Sequence, residues 1–345
     1  MLSVNVGPGP ASHGDAVISI ATGQVDGRPI AISTGRDAVR IWDLITRKQV
    51  GGLTIEETAD EPLTGYERIL SIAVGQMDGR PIALSGGLDA TIRIWDLTTR
   101  RQIGDPLTGH ERSVVSVAFG QVNGRPVGIS AGKDATIRIW DLTTRKQMGD
   151  PLTGHSGTIA SVMASEMNGR PVVVSGGRDG TVRIWDLATG KQIGDSLTGH
   201  KSNVTSVAVG DVNGRQVVVS GGWEGTVRLW DLATGKPIGD PLLAHEPAGG
   251  PVVITQMSGR PVIVSGGVDH TLRVWDPITR AQIGEPLTGH DWAINAIAVT
   301  QVNSRLIAVS GGEDRTVRTW DLITREQTGE PLVGHEPGIT PAGLQ

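Results

Sequence analysis

The sequence predicts an all-β protein made of seven repeats of one antiparallel unit, and three observations support that fold class. The dipeptide Trp-Asp occurs seven times, with a constant spacing of 45 residues from the second copy onward, at Trp42, Trp95, Trp140, Trp185, Trp230, Trp275 and Trp320. Segments such as residues 136–140 alternate with the two-residue period of a half-buried strand. Asn-Gly and Asp-Gly pairs recur between them and favour tight hairpin turns. A fixed period of this size indicates one supersecondary unit packed against its own copies.

Residues 109–154 serve as the type unit, which Gly109 and His110 open. Its strands are predicted at residues 113–119, 127–130 and 136–140, with a fourth beginning at 147–149. Asn123-Gly124 supplies the positive φ angles of the first turn, and the other turns fall at residues 132–134 and 141–145. Each unit is therefore predicted to be a four-stranded antiparallel meander. The 345 residues form one closed array of such units rather than several separate cores.

Composition narrows the classes of function. A net charge of −5 argues against strong nonspecific binding to nucleic acid or to an anionic membrane. The absence of cysteine excludes disulfides, thiolate catalysis and Cys-ligated zinc. The N-terminal residues lack the basic and apolar segments of a signal peptide, and no apolar run of 18 residues occurs. We therefore expect a cytoplasmic monomer with no cofactor, no bound metal, no nucleic-acid partner and no membrane association.

The repeated motif resembles that of the WD-repeat family, on the Gly-His opening, the Ser and Asp around the second turn, and the closing Trp-Asp. The resemblance covers roughly residues 13–333. The amino-acid sequence of the repeats is similar to that of highly regular bacterial WD-repeat arrays. It implies a seven-bladed β-propeller, with the blades arranged around a central channel. The expected blades, within a single propeller spanning residues 1–345, are residues 13–62, 66–108, 110–153, 155–198, 200–243, 245–288 and 290–333.

The resemblance also implies that each blade carries a hydrogen-bonded structural network of His, Ser, Asp and Trp. The matching residues are His13, Ser33, Asp37 and Trp42; Ser85, Asp89 and Trp95; His110, Ser130, Asp134 and Trp140; His155, Ser175, Asp179 and Trp185; His200, Ser220, Glu224 and Trp230; His245, Ser265, Asp269 and Trp275; and His290, Ser310, Asp314 and Trp320. Two blades depart from the pattern, because blade two has Tyr66 in place of His and blade five has Glu224 in place of Asp. We expect Tyr66 to make blade two looser than blades three and four.

A His, Ser and Asp within hydrogen-bond reach also describe a hydrolase triad. Residues 128–132 even match the Gly-x-Ser-x-Gly pattern of a nucleophile elbow, but that elbow needs a strand–turn–helix context and here two strands flank a hairpin turn. A set repeated seven times is expected of architecture rather than of one active site. We therefore interpret the sets as structural and predict that the protein is not an enzyme.

Arginine is periodic as well, and it follows the first hairpin turn of each unit. The series is Arg28, Arg80, Arg125, Arg170, Arg215, Arg260 and Arg305, joined in the next turn by Lys48, Arg101, Lys146, Lys191 and Lys236. Such a ring could contact phosphate, yet the stacking aromatics of a nucleic-acid site are missing from this rim. The favoured interpretation is a solvated turn residue repeated with the unit and offset by Asp43, Asp96 and their equivalents.

The residues that differ between units are the better candidates for binding. Trp223 and Trp292 are the tryptophans outside the Trp-Asp series, and both are placed in loops that open on the same face. Exposed tryptophan is enriched at the centres of binding sites. The candidate partner-binding residues are Trp223, Trp292, Pro247, Val268, His270, Arg178 and Glu313. The alternative is that either indole lies flat over a neighbouring loop and only covers apolar surface.

The termini and one insertion leave alternatives open. About nine extra residues, 52–60, fall within the fourth strand of blade one, either as a docking loop or as drift in a tolerant surface position. Both residues 5–13 and residues 327–332 match the fourth-strand pattern, so either terminus could complete the last blade. The C-terminal copy is favoured because it adjoins its hairpin partner in sequence. Residues 336–345 are predicted to be a flexible tail.

The sequence thus predicts a non-catalytic scaffold that binds a protein or peptide of unknown identity through one face of the propeller. A second hypothesis is a sensor or ligand-recognition module of a bacterial signalling ATPase or kinase system, with the catalytic part on another chain. A third, hydrolysis at an unrecognised site, would be tested with ester and phosphate substrates.

Overall fold

A computed structural model describes residues 2–5, 16–35, 39–53 and 68–333 of the chain. The described residues form strands, turns and loops and contain no helix. The all-β prediction is confirmed.

The first strand and the first three blades follow the chain in order. Their strands are β1 (Leu2–Asn5); β2 (Ser19–Val25), β3 (Arg28–Thr34), β4 (Val39–Asp43) and β5 (Lys48–Gly52) in blade one; β6 (Ile69–Met77), β7 (Arg80–Gly87) and β8 (Ile92–Asp96) in blade two; and β9 (Val114–Val122), β10 (Arg125–Gly132), β11 (Thr136–Asp141) and β12 (Lys146–Thr153) in blade three.

Blades four to seven repeat the same order. Their strands are β13 (Ile159–Met167), β14 (Arg170–Gly177) and β15 (Val182–Asp186) in blade four; β16 (Val204–Val212), β17 (Arg215–Gly222), β18 (Thr226–Asp231) and β19 (Leu242–Leu243) in blade five; β20 (Val252–Met257), β21 (Arg260–Gly266) and β22 (Leu272–Trp275) in blade six; and β23 (Ile294–Val302), β24 (Arg305–Gly312), β25 (Thr316–Asp321), β26 (Glu326–Gln327) and β27 (Leu332–Val333) in blade seven.

Each blade is an antiparallel meander, and the seven blades close into a propeller. The first strand of every blade contacts the first strand of the next, and β23 of blade seven contacts β2 of blade one. In blades two, four and six the fourth strand is reduced to two isolated bridges, such as Ile92 to Leu107 and Trp95 to Gln102 in blade two. The seven-bladed prediction is confirmed, with blades of three to four strands.

The hairpin turns have the backbone that the Asn-Gly and Asp-Gly pairs predict. In blade three, Asn123 has a φ of 51° and Gly124 a φ of 76°, and the ladder between β9 and β10 starts at the flanking pair Val122 and Arg125. Positive φ at both central residues matches the right-handed twist of the flanking strands. The hairpin turn therefore fixes the register of the two strands. With that register, every second side chain of each strand faces a neighbouring blade.

The apolar core lies between blades rather than within them. One cluster joins Ile129 and Ile139 of blade three to Val162, Val173 and Trp185 of blade four. Buried serines in the first strands add polar links between adjacent blades: Ser116 Oγ accepts the backbone N–H of Val162 at 3.1 Å. Equivalent bonds join Ser71 to Val117, Ser161 to Val207 and Ser206 to Val252. No single blade can bury its own two faces, so neighbouring blades stabilise one another.

The C-terminal segment supplies the outer strand of blade seven, as the shorter loop closure favoured. Strands β26 and β27 both pair with β25. The N-terminal strand β1 pairs with the opposite edge of the same sheet, with Leu2 opposite Val299 and Asn5 opposite Ala296. The first and the last described strands thus both belong to the blade seven sheet, and the repeat pattern did not predict this pairing of β1.

No helix in the described part of the chain is long and apolar enough to cross a bilayer.

Candidate functional site

The His, Asp, Ser and Trp of each complete set form a continuous buried chain of hydrogen bonds. In blade three, His110 Nδ1 lies 2.8 Å from Asp134 Oδ2, and His110 Nε2 lies 2.7 Å from Ser130 Oγ. Trp140 Nε1 donates to the same Ser130 Oγ at 2.8 Å. The geometry fits a neutral imidazole that donates from Nδ1 to the carboxylate and accepts the serine proton at Nε2. Each of the side-chain atoms that link these four residues then has a hydrogen-bond partner.

Blades four to seven repeat this arrangement. The histidine-to-acid and histidine-to-serine bonds join His155 to Asp179 and Ser175, His200 to Glu224 and Ser220, His245 to Asp269 and Ser265, and His290 to Asp314 and Ser310. The serine also accepts the indole N–H of Trp185, Trp230, Trp275 and Trp320 in turn. The longer side chain of Glu224 reaches His200 at 2.6 Å, so the histidine–acid bond is kept, while Glu224 Oε2 is buried without a hydrogen bond to any described atom.

The second glycine of the Ser-Gly-Gly motif makes room for this histidine–acid pair. A Cβ at Gly177 would lie 2.4 Å from His155 Nδ1 and 2.7 Å from Asp179 Oδ1. Any larger residue would displace one of the two partners, so the glycine recurs because the network occupies its side-chain space.

In blades one and two, only some members of this hydrogen-bond network lie among the described residues. Trp42 donates to Ser33 and Trp95 to Ser85, each at 2.8 Å. In blade two, whose sequence has Tyr66 at the histidine position, Asp89 accepts a bond from Arg93 Nη1 at 2.8 Å. The equivalent arginines Arg138 and Arg183 donate instead to Gln147 and Gln192 of the fourth strand. His13, Asp37 and Tyr66 lie outside the described residues.

Burial and hydrogen bonding set the charge state of these pairs. Burial opposes the ionisation of Asp134, but the bond and charge of His110 and the amides of Thr136 and Glu111 outweigh it and lower the pKa to about 2. The pKa of Asp314 is lowered to about 2 by the equivalent balance with His290. Burial also lowers the pKa of His155 and His200, against the raising effect of their acids. In blades four and five, where the pKa values of Asp179 and Glu224 are lowered as well, these shifts favour an ionised acid beside a neutral imidazole.

This arrangement cannot act as an exposed nucleophile. The side chains of His110, His155, His200 and His290 have no solvent exposure, and Ser130 is fully buried. The serine oxygen already takes part in two hydrogen bonds, so a substrate carbonyl would have to displace the tryptophan N–H or the histidine. Within the described chain, no group of three or more His, Asp or Glu side chains could hold a metal ion.

Five of the seven arginines that follow the first hairpin turn are paired with the aspartates of the Trp-Asp motif. Arg28 lies 3.3 Å from Asp43 and Arg305 lies 3.8 Å from Asp321, and equivalent pairs join Arg125 to Asp141, Arg170 to Asp186 and Arg215 to Asp231. The aspartates also accept turn amides, as Asp141 does from Thr143 and Thr144 at 2.9 Å. This geometry agrees with the interpretation of solvated turn residues offset by nearby acids.

Trp292 and His270 form an exposed aromatic pair between blades six and seven. Trp292 is 61% exposed, and the centroids of its ring and of the His270 ring are 6.4 Å apart at an angle of 37°. His270 is itself exposed and stands in the left-handed conformation, with a φ of 66°. Glu313 is close by, since its backbone N–H donates to the carbonyl of Ala293, the residue after Trp292.

Trp223 lies at the neighbouring junction, beneath the irregular loop of blade six. Its carbonyl accepts the N–H of Ala248 at 2.7 Å, and a Cβ at Gly249 would come within 2.8 Å of its Cα. The Trp223 residue is 36% exposed, less than Trp292. Pro247 is exposed in the same loop. The structure therefore brings Trp223 together with the Pro247 loop, and Trp292 together with His270 and Glu313.

Val268 and Arg178 complete the candidate residues. Val268 is partly exposed beside Asp269, and Arg178 is exposed in the equivalent turn of blade four, where its N–H donates to Thr158 O. A shallow depression of about 470 Å³ next to the blade six loop is lined by Leu243, Glu246, Asp269 and Arg273 among others. Leu243, which is 82% exposed, was not among the residues selected from the sequence, although it stands where most blades have threonine. Most of the 52–60 insertion and the 336–345 segment lie outside the described residues.

A seven-bladed propeller whose blades are held by repeated His–Asp–Ser–Trp sets defines a class of repeat protein. The family model described as WD domain, G-beta repeat matches residues 62–96, 101–141, 146–186, 191–231, 250–276 and 282–321. The chain therefore belongs to the WD40-repeat family, whose propellers are typically protein-interaction scaffolds.

Two curated relatives share part of the sequence. The small ribosomal subunit protein RACK1z of Oryza sativa subsp. japonica is 37% identical over 92 residues, which are 25% of this chain and 27% of that protein. The small ribosomal subunit protein RACK1y of the same plant is 35% identical over 97 residues, 26% of this chain and 28% of that protein. The chain thus spans about a quarter of the length of the curated relatives that it matches.

Proposed function

We propose that this protein is a non-catalytic, cytoplasmic scaffold that binds a protein or peptide through the propeller face formed by the loops between blades and the second turn of each blade. The observation that carries the proposal is Trp292, an indole that is 61% exposed beside His270 on an otherwise repetitive face. An exposed indole of this kind costs solvation free energy in the free protein and returns it when a partner covers the ring. His270 and Glu313 adjoin Trp292, and Trp223, Pro247, Val268 and Arg178, which lie in loops and turns of blades four to six, are the further residues that we propose for this face.

The repeated His–Asp–Ser–Trp sets support a non-catalytic role. Their histidine side chains are inaccessible in blades three, four, five and seven, and each serine already has two partners. Turnover of an ester or phosphate substrate that is lost in a Ser130→Ala variant that still folds would contradict this part of the proposal.

The test of the binding face is affinity capture with three versions of the protein, followed by mass spectrometry. The double variant Trp223→Ala/Trp292→Ala should lose the partners that the wild type captures. The matched control is Ile278→Ala, which removes a 53% exposed apolar side chain from a turn of blade six at the other end of its strands. Because Trp223 is only 36% exposed, the double variant should lose about 2–3 kcal/mol of stability, and circular dichroism must show that it is folded before capture is compared. Equal capture by all three versions would refute the proposed face.

A further inference from the structure

The turn between the third and fourth strands ends with a residue in the left-handed conformation in all seven blades. That residue is arginine in five blades and glycine in two. The arginines, with φ between 57° and 65°, are Arg47, Arg100, Arg145, Arg280 and Arg325. The glycines are Gly190 in blade four and Gly235 in blade five, with φ of 69° and 67°. The backbone is therefore the same everywhere, and only the side chain differs.

The arginine reaches back to the fourth strand of the preceding blade. Arg280 Nη1 donates to the carbonyl of Ile238 at 2.7 Å, and Arg325 donates to the carbonyls of Ile283 and Glu285. Arg47 closes the ring in the same way, because it donates to Thr319 Oγ1 at 2.5 Å and to the carbonyl of Glu330 in blade seven. These bonds cross the junction between two blades.

Each of these guanidinium groups lies against a glycine of the fourth strand. A Cβ at Gly239 would lie 2.7 Å from Arg280 Nη1, and a Cβ at Gly284 would lie 2.7 Å from Arg325 Nε. We use the name arginine seat for three consecutive residues: the residue before this glycine, the glycine itself and the acidic residue after it. The acid favours the cation: burial lowers the pKa of Arg325, and the nearby Glu285 carboxylate opposes that change.

Two arginine seats receive no arginine from the described residues. Residues 148–150 of blade three and 193–195 of blade four form seats around Gly149 and Gly194, and their next blades provide Gly190 and Gly235. No described atom lies within 4 Å of a Cβ at Gly149 or Gly194. Both glycines have a φ of 66°, within the 62–69° of the seats around Gly104, Gly239, Gly284 and Gly329. The acids Asp150 and Asp195 are exposed. The seat thus keeps its backbone without its arginine.

We propose that the seats of blades three and four bind arginine side chains from a partner protein. The chain itself identifies the ligand chemistry, because in four junctions, around Gly104, Gly239, Gly284 and Gly329, the same seat holds a guanidinium group. The fifth arginine, Arg100, lies against Gly51, which no acid follows. A planar guanidinium can bridge two carbonyls and an acid, whereas a lysine ammonium offers a single charged centre. The two seats lie on adjacent blades, so the partner presents two arginines along the outer edge of blades three to five. This surface is separate from the Trp292 sector and does not depend on the proposed function.

The test is a titration of the full chain with N-acetyl-arginine-N-methylamide. The measured quantity is the chemical shift of the backbone amide of each seat glycine in NMR spectra. Gly149 and Gly194 should shift in a saturable way, while Gly239 and Gly284, already covered by Arg280 and Arg325, should not. The lysine analogue should bind about fivefold more weakly, because it makes one charge-assisted hydrogen bond fewer. Absence of the Gly149 and Gly194 shifts, or equal shifts at all four glycines, would overturn the proposal.

The matched control is a variant in which the next blade of the same chain provides an arginine for the seat. Gly190→Arg should abolish the response of Gly149 and leave that of Gly194, and Gly235→Arg should do the reverse. The new side chain has room if Leu152 moves, since its Cδ2 lies 3.2 Å from a Cβ at Gly190. A second variant, Asp150→Asn, removes only a surface charge and should weaken arginine binding at Gly149 about threefold with Gly194 unchanged. Unchanged Gly149 responses in both Gly190→Arg and Asp150→Asn would refute the assignment.

Discussion

The shared serine of the buried sets allows one substitution to be compared at two equivalent positions. Ser175 in blade four has two partners, His155 Nε2 and Trp185 Nε1, each at 2.8 Å. Ser175→Ala leaves a buried acceptor and a buried donor unpaired, at about 1–3 kcal/mol each in general. Because a small shift could rescue one of them, we expect a loss of about 2–4 kcal/mol. Within the described residues Ser85 has one such partner, Trp95. Ser85→Ala should therefore cost about 1–2 kcal/mol.

Equilibrium unfolding in urea, followed by tryptophan fluorescence, measures both losses against the wild type. Ser156→Ala, at an exposed position of blade four, is the control and should change stability by less than about 0.5 kcal/mol. Because repeat arrays can unfold in parts, hydrogen exchange should place the loss of protection in the substituted blade and its neighbours. Equal losses in Ser85→Ala and Ser175→Ala would refute the reasoning, since the histidine bond would then contribute nothing.

Two further predictions concern pH and ring closure. The folded pKa values of His155 and His200 are lowered, so the unfolded chain binds protons first and the melting temperature should begin to fall as pH drops through about 6.5. It should fall again from about pH 4 towards 2, where Asp134 and Asp314 lose their charge; a melting temperature that rises from pH 7 to 5 would contradict this. Arg47→Ala removes the bonds from blade one to blade seven and should cost about 1–2 kcal/mol by calorimetry, while Arg101→Ala on the exposed rim should cost almost nothing. Equal melting temperatures of the two arginine variants would argue against a closing role for Arg47.

The sequence predicts the blades well because local chemistry and the repeat agree. The strands expected at residues 113–119, 127–130 and 136–140 are found within Val114–Val122, Arg125–Gly132 and Thr136–Asp141, with an offset of one residue at the first start. The alternation of apolar residues sets the faces, and the hairpin glycines set the register. The pairing of His with Ser and acid follows from the family resemblance, and the distances in blades three to seven agree with it.

The sequence does not predict how side chains choose between partners across a junction. Arg93 occupies the same position as Arg138, yet it pairs with Asp89 rather than with a residue of the fourth strand. Arg273 of blade six donates to both kinds of partner, Asp269 and Gln282. The replacement of arginine by glycine at the turn between the third and fourth strands of blades four and five is visible in the sequence. Its meaning depends on the distance from that turn to the preceding blade, which only the packed ring supplies. The N-terminal strand lacks the repeat pattern, so its pairing with β23 could not be anticipated either.

A repeat can therefore deviate from the others in two ways, by adding a side chain or by lacking one, and both kinds of deviation are informative. Trp292 adds an exposed ring to a face where the other units have small or polar residues, so it is a gain that solvation alone would not favour. Gly190 and Gly235 are losses: they give up inter-blade bonds that Arg280 and Arg325 make on the same backbone. A loss of this kind leaves a complementary surface in place, and two of them occur in succession. The positions where a repeat omits a side chain are thus candidates for binding, as are the positions where it adds one.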